Sequence, residues 1–268
     1  MIIEPIPFTS IDNIIENIEF YKKQFLQDGI LAFRDANLTE AEQKEFQRRM
    51  GDCFKVFPNT QDYSVQQYTE NHEGVFDESI SGDEIMLGWH MEHLYFKNPI
   101  IMGFWNMQKF DTDKENGKTY FYDSRKLWNE IPVDWKEFLS KCTIDATSEL
   151  DPLDKAYLTK VVDKHWYTDE TVLRLSVNKD YDEVDVLKLF DGREPSDHEK
   201  AKYTSIMQDI IKMLNDSGNK KKIHKWKKGD LLIPDMYVMI HAVTGGFSPS
   251  DRSFTGMWSF PEKFTPSS

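Results

Sequence analysis

The stretch Gly88-Trp89-His90-Met91-Glu92-His93-Leu94-Tyr95 sets an imidazole and a carboxylate two residues apart inside an apolar, aromatic run. On a β-strand, side chains two residues apart project from the same face. His90 and Glu92 would then stand side by side on a rigid element, offering one nitrogen and one oxygen to a metal ion. Taken alone, a His-x-Glu triplet more often marks only a half-buried strand whose polar groups face water. A helix would instead put His90 and His93 on one face, but Trp89, Met91 and the bounding Gly88 and Pro99 favour a strand. The helical zinc pattern of two histidines four apart is absent.

A third ligand must come from elsewhere, and His241 is the candidate. It follows the apolar run Tyr237-Val238-Met239-Ile240, where a sheet would deliver it to a site. A single histidine in such a place is more often a core residue bonded to backbone. Arg252 raises it above that. After the turn from Gly245 to Asp251, strand alternation puts Arg252, Phe254, Gly256, Trp258 and Phe260 on one face. An arginine aimed into a core is costly unless an anion pairs with it, and its fork matches a carboxylate bidentately. Two readings stay open: a structural pair with an acidic side chain, or a seat for a carboxylate ligand beside a metal.

These residues need elements to hold them. Ile14, Ile15, Ile18, Tyr21, Phe25 and Leu26 recur at helical spacing, so a single amphipathic helix is predicted from Ser10, its cap, to Gln27, with Gly29 as its stop. Ile30 to Phe33 reads as a buried strand. Thr39 with Glu42 forms a capping box for a second helix, which Gly51 should end. From Asp52 to Glu84 the signals weaken, and irregular strands with a long loop are expected. Strands are predicted at Ile85–Tyr95, Ile100–Trp105, Thr119–Tyr122, Val161–Tyr167 and Val172–Val177. Helices follow Asp123 and Pro132. Ser196 and Glu199 cap the clearest helix, whose stripe runs from Tyr203 to Leu214. The basic run from Lys220 to Lys228 reads as a solvated connector. Three strands close the chain, at Leu231–Ile233, Tyr237–Ala242 and Ser253–Phe260.

Composition narrows the class. The chain has 268 residues, long enough for one sizeable core in a single β-rich domain, and no stretch looks like a flexible linker. Thirty-three basic against 46 acidic residues give a net charge of −13, which disfavours nucleic acid as a partner. Cys53 and Cys142 lack metal-type spacing and read as reduced thiols of a cytoplasmic protein. Neither a leader nor a membrane span is expected. Repeats and low-complexity segments are absent.

Two histidines and one carboxylate on one face of an octahedron are the donor set of non-heme Fe(II) oxygenases. At this point the sequence resembles the taurine dioxygenase (TauD/TfdA-like) group of Fe(II)/2-oxoglutarate oxygenases, with a clavaminate synthase-like His-x-Glu. The resemblance is carried by Asp28 to Asp35, Leu38-Thr39-Glu40, Phe46 to Gly51, Trp89 to Glu92, Gly117 to Phe121, Asp235 to His241, and Arg252 eleven residues after His241. Residues 52–84 and 145–219 match only loosely, as family-variable loops and helices around the core.

What the resemblance implies is specific. His90, Glu92 and His241 would be the iron ligands and the catalytic centre. Arg252 would grip the far carboxylate of 2-oxoglutarate, assisted by the hydroxyl of Thr119. Fe(II), 2-oxoglutarate and O2 would be required, and the fold would be a double-stranded β-helix, a jelly-roll with helices outside. Hydroxylation of an unactivated C–H bond, or a desaturation variant, is expected over halogenation because all three protein ligands are present. Where taurine dioxygenase has an arginine for the sulfonate, four residues beyond Arg252, this chain has Gly256. Asn178, Asp180, Asp182 and Trp89 are candidate substrate contacts, the acidic ones suited to an ammonium or guanidinium, so a free amino acid or amine is the expected small-molecule substrate. For Asp180 and Asp182 a solvated loop is the plainer reading, and for Trp89 a core position facing away from His90. A homo-oligomer remains open. The rival functions are a catalytically silent metal-binding or sensory protein on the same barrel, and an oxygenase of a macromolecule.

Overall fold

Capping chemistry places the first elements. The computed structural model describes residues 1–58, 66–67, 82–92, 94, 99–111, 116–145, 158–175, 186–248 and 251–260. After β1 (Ile6–Pro7), the Ser10 side chain accepts from the Asn13 N–H and starts α1 (Ile11–Glu16). The expected single helix divides at Asn17, and α2 (Ile18–Asp28) follows it. The Asn17 amide donates back to the Asn13 carbonyl (2.8 Å), the local competition that makes asparagine a poor helix-interior residue. Gly29 closes α2 at φ +68, as the turn requires, and leads into β2 (Ile30–Arg34).

The Thr39–Glu42 capping box forms and begins α3 (Glu40–Phe54), which runs three residues past Gly51. Gly51 does not stop the helix; it makes room. A Cβ there would lie 2.5 Å from the Val56 carbonyl oxygen, which folds back over the last turn. Buried Gln43 and Gln47 rivet this helix to the sheet beneath, donating to the carbonyls of Phe104 (2.9 Å), Thr255 (2.9 Å) and Trp258 (2.7 Å).

The remaining elements in order are β3 (Phe57–Pro58), β4 (Gln66–Gln67), β5 (Ile85–His90), β6 (Met102–Phe110), β7 (Thr119–Asp123), α4 (Ser124–Glu130), α5 (Val133–Leu139), β8 (Cys142–Asp145), β9 (Leu158–Lys160), β10 (Val162–Lys164), β11 (Thr171–Leu173), β12 (Val186–Phe190), α6 (Asp197–Asp216), β13 (Lys222–His224), β14 (Leu231–Pro234), β15 (Met239–Thr244) and β16 (Arg252–Phe260). The large sheet has the order β1-β2-β14-β6-β16-β3, with β4 also on β16. The small sheet has the order β13-β7-β15-β5. Strands β8, β9 and β12, which the sequence reading does not include, form a separate sheet, and β10 pairs with β11.

Alternation sorts the side chains of the small sheet. Thr119, Phe121 and His241 point inward, where Trp105 of the large sheet meets Phe121 (6.1 Å between ring centres) and His241 (5.3 Å). Tyr120, Tyr122, Ile240 and Ala242 point outward and pack in a second apolar cluster with Tyr203, Ile206 and Ile210 of α6. On its other face the large sheet carries α1 to α3, with Phe33, Phe46 and Phe104 in edge-to-face contact. Two facing sheets with helices outside are the jelly-roll the resemblance implied, mainly β with flanking helices.

Other boundaries move as well. The strand expected from Ile85 through Tyr95 ends at His90, and Glu92 lies on the turn that follows. Tyr237 and Val238 belong to the turn before β15, with the Tyr237 N–H held by Asp235 Oδ1 (3.0 Å). The basic run is not a solvated connector. It supplies edge strand β13 and buries His224 and Trp226, with Lys222 on the same strand face as His224 and tucked against the Asp28 carbonyl (2.6 Å), while Lys220, Lys227 and Lys228 are exposed.

Candidate metal centre

Sheet register creates the site. Strands β5 and β15 are antiparallel, with His90 directly opposite His241, so the two rings stand 4.1 Å apart. The His90 Nδ1 lies 2.7 Å from the Gly88 carbonyl oxygen. A carbonyl can only accept, so Nδ1 carries the proton and Nε2 is left with its lone pair toward the site. From the turn after β5, Glu92 brings Oε2 to 3.5 Å from His241 Nε2. One ligand atom from each of His90, Glu92 and His241 falls within 4.8 Å of the others. The expectation that a continuous strand would align His90 and Glu92 is thereby corrected in its cause: the chain turns at Met91, whose N–H donates to the Leu175 carbonyl (3.2 Å), and this turn carries the carboxylate in.

Electrostatics favour a cation. Burial, and next the neighbouring His90, hold the His241 pKa well below the ordinary imidazole value, so the ring is neutral and its nitrogen is available as a ligand. His241 Nδ1 is buried and makes no hydrogen bond of ordinary geometry. Two imidazoles and a carboxylate converging on one point are a donor set that fits a divalent metal.

Arg252 begins β16 and is 8% exposed. Its guanidinium lies over the rings of Phe247 (5.3 Å), Phe254 (5.4 Å) and Trp226 (5.6 Å), and its Nε has no hydrogen-bond partner. Among the described residues no carboxylate pairs with it. Burial alone pushes its pKa down to about 10. Of the two readings left open by the sequence, an internal acidic partner is not found among the described residues, and a buried guanidinium gains from pairing with an anion. Thr119, on β7, is buried, and its Oγ1 accepts from the N–H (2.9 Å) of the same Trp226 indole that lies under Arg252.

The candidate substrate contacts fare differently. Trp89 is corrected: it is fully buried in the outer cluster, stacked on Tyr120, with its indole N–H on Asn215 Oδ1 (2.9 Å). Alternation turns it away from His90. Asn178, Asp180 and Asp182, like His93, lie outside the described residues. The sequence reading missed Trp105, Trp226 and Phe247. The available signal for Trp226 was its position two residues after His224, which puts both on one face of β13 and its extension.

The chain matches the model of the family described as taurine catabolism dioxygenase TauD, TfdA family, over residues 4–258. No curated protein matches it in sequence. Among solved structures it is similar to AAD-2 in complex with Mn(II) and N-oxalylglycine, at 15% identity and a TM-score of 0.66, covering 96% of this chain and 93% of that one. A taurine dioxygenase from Burkholderia xenovorans is similar at 12% identity and a TM-score of 0.65, covering 91% and 80% respectively. At these identities the structural likeness speaks to the fold.

Proposed function

This chain belongs to the TauD, TfdA family of Fe(II)- and 2-oxoglutarate-dependent dioxygenases, and from that premise we propose that His90, Glu92 and His241 bind the iron while Arg252 and Thr119 receive 2-oxoglutarate. The observation that carries the reading is the convergence of three ligand atoms within 4.8 Å in the same barrel as a buried arginine with no counter-ion among the described residues. When bound, iron supplies the coupling of O2 reduction to oxidative decarboxylation of 2-oxoglutarate and oxidation of the substrate. The protein's own residues hold that chemistry in place. The Gly88 carbonyl fixes the tautomer of His90, and burial keeps His241 unprotonated. The guanidinium of Arg252 and the hydroxyl of Thr119 give one carboxylate a cation and a donor in a dry, aromatic-walled seat.

The substrate is a small polar metabolite, and a free amino acid or amine fits best. At the position where taurine dioxygenase has its sulfonate-binding arginine, Gly256 offers no side chain, which supports a substrate other than a sulfonate. The acidic charge of Asp180 and Asp182, with Asn178, supports an ammonium or guanidinium group by complementarity. The net charge of −13 argues against nucleic acid. The match over residues 4–258 supports reading the chain as one oxygenase domain.

Anaerobic protein given Fe(II) and 2-oxoglutarate is expected to develop the weak visible charge-transfer absorption of the chelate, and His241→Ala to lose it. Absence of the band, or its persistence in His241→Ala, refutes the ligand assignment. Substrate-stimulated succinate formation, screened across amino acids, amines and sulfonates, tests the substrate class; stimulation by sulfonates alone refutes it.

A further inference from the structure

The seat around Arg252 has a second layer of its own. The Trp226 indole N–H donates to Thr119 Oγ1 at 2.9 Å, and the same ring lies under the Arg252 guanidinium at 5.6 Å. One tryptophan thus touches both groups that the preceding reading gives to 2-oxoglutarate. A threonine hydroxyl has one proton and two lone pairs. With a lone pair engaged by the indole, its proton is directed away from Trp226, and among the described residues it has no acceptor.

Trp226 is itself pinned. His224, two residues earlier, meets its ring edge-on at 4.4 Å and puts Nε2 3.1 Å from Asp230 Oδ2. Asp230 is fully buried, and it receives Arg34 Nη1 on both carboxylate oxygens (2.6 Å each) and the Lys227 N–H (2.8 Å). A loop carrying Trp226 is thereby tied to β2 and β14 by a charge-assisted network, which removes the rotational freedom an indole would otherwise have.

We infer that Trp226 is a positioning residue for 2-oxoglutarate, orienting the Thr119 hydroxyl so that it donates to the carboxylate that Arg252 grips. The inference rests on the cosubstrate reading given above. Binding requires no new contact to Trp226; it requires that Thr119 be held with its donor outward before the ligand arrives, so that less order is lost on association.

The test is calorimetric titration of 2-oxoglutarate into the full-length, Mn(II)-loaded protein, which reads binding without turnover. Trp226→Phe keeps the ring and removes the N–H. It is expected to weaken 2-oxoglutarate binding by about five- to twentyfold, the scale of one lost hydrogen bond to an oriented donor, while Mn(II) affinity stays as in the wild type. Thr119→Val should lose a similar factor. The double variant should be no more than about twofold weaker than Thr119→Val, because Trp226 acts through Thr119. A tryptophan with only a structural role would give losses that multiply, together with weakened Mn(II) binding, and that result overturns the inference. Unchanged binding in Trp226→Phe overturns it as well. Should that variant not fold, the indole N–H resonances of Zn(II)-loaded wild-type protein decide: the one that responds to Thr119→Val must also move on addition of 2-oxoglutarate, and one that does not move refutes the positioning role. If wild-type protein fails to bind 2-oxoglutarate, or Arg252→Met binds it normally, the cosubstrate reading itself falls. Wild-type binding with an unaffected Trp226→Phe defeats only the positioning role.

Discussion

Removing the charge of Arg252 should make the protein without cosubstrate more stable. The guanidinium is buried without an anion among the described residues, and burial lowers its pKa from the ordinary guanidinium value to about 10, which at about 1.4 kcal/mol per tenfold change is about 3 kcal/mol against the folded, protonated state. The faces of Trp226, Phe247 and Phe254 return part of this, on the order of 1 kcal/mol together. Arg252→Met fills much of the same space with a flexible apolar chain, so the expected net gain is about 1–2 kcal/mol. The sign follows from the depressed pKa of a base. Below about pH 10 the side chain is protonated both folded and unfolded, the penalty is constant, and it is relieved only as pH rises above about 10. Urea unfolding at pH 7 and pH 9 should therefore give the same difference between variant and wild type. Adding Mn(II) and 2-oxoglutarate should reverse the order, since ligand at a hundredfold over its Kd adds about 2.7 kcal/mol to a protein that binds it and nothing to one that does not. A metal-free Arg252→Met protein less stable than wild type by 1 kcal/mol or more would refute the reasoning, because the guanidinium would then have a counter-ion within the fold.

Other predictions separate site from scaffold. His90→Ala and Glu92→Ala should each weaken Mn(II) binding by about a hundredfold or more, whereas His165→Ala should leave it within threefold, because that buried ring serves Asp235 at 2.9 Å and not the three-ligand cluster; calorimetry with Mn(II) checks the contrast. His165→Ala should instead lower stability by about 1–3 kcal/mol, since it takes the ring donor from Oδ2 of a buried carboxylate whose Oδ1 keeps the Tyr237 N–H. Gly51→Ala, which in an ordinary helix gains about 1 kcal/mol, should here cost about 1–3 kcal/mol because the new Cβ meets the Val56 carbonyl oxygen at 2.5 Å; urea midpoints show which sign holds. Burial pushes the Cys142 thiol up to about 12, so a disulfide reagent at pH 8 should modify half-buried Cys53 first and Cys142 only on unfolding. Above pH 9 the unfolded thiol ionises while the folded one stays protonated, so stability should fall with rising pH by up to about 1.4 kcal/mol per pH unit, a slope that Cys142→Ala reduces.

Local chemistry was legible where it is local. The capping boxes at Thr39–Glu42 and Ser196–Glu199 form as their spacing dictates, because both partners lie within one helical turn and need nothing from the rest of the chain. Inward and outward faces of β7 and β15 follow from alternation for the same reason. The break at Asn17 and the helix running past Gly51 were not legible. The first is a contest between a side-chain amide and the helical ladder that packing settles. The second depends on Val56 folding back over the helix.

The same division runs through the site. Residue types alone determined the chemistry on offer: two imidazoles and a carboxylate suit a divalent metal, and an arginine on an aromatic strand face needs an anion. Tertiary structure decided how these parts meet. Glu92 enters from a turn and not from a strand, and His90 faces His241 because β5 and β15 pair in that register. Trp226, dismissed within a basic run, lies between Thr119 and Arg252 because β13 pairs with β7 and Asp230 anchors the loop to Arg34. A sequence specifies donors and periodicities, which are properties of neighbours along the chain. Register between strands far apart in sequence is set by the sum of many weak contacts across the barrel, and only the folded chain evaluates that sum.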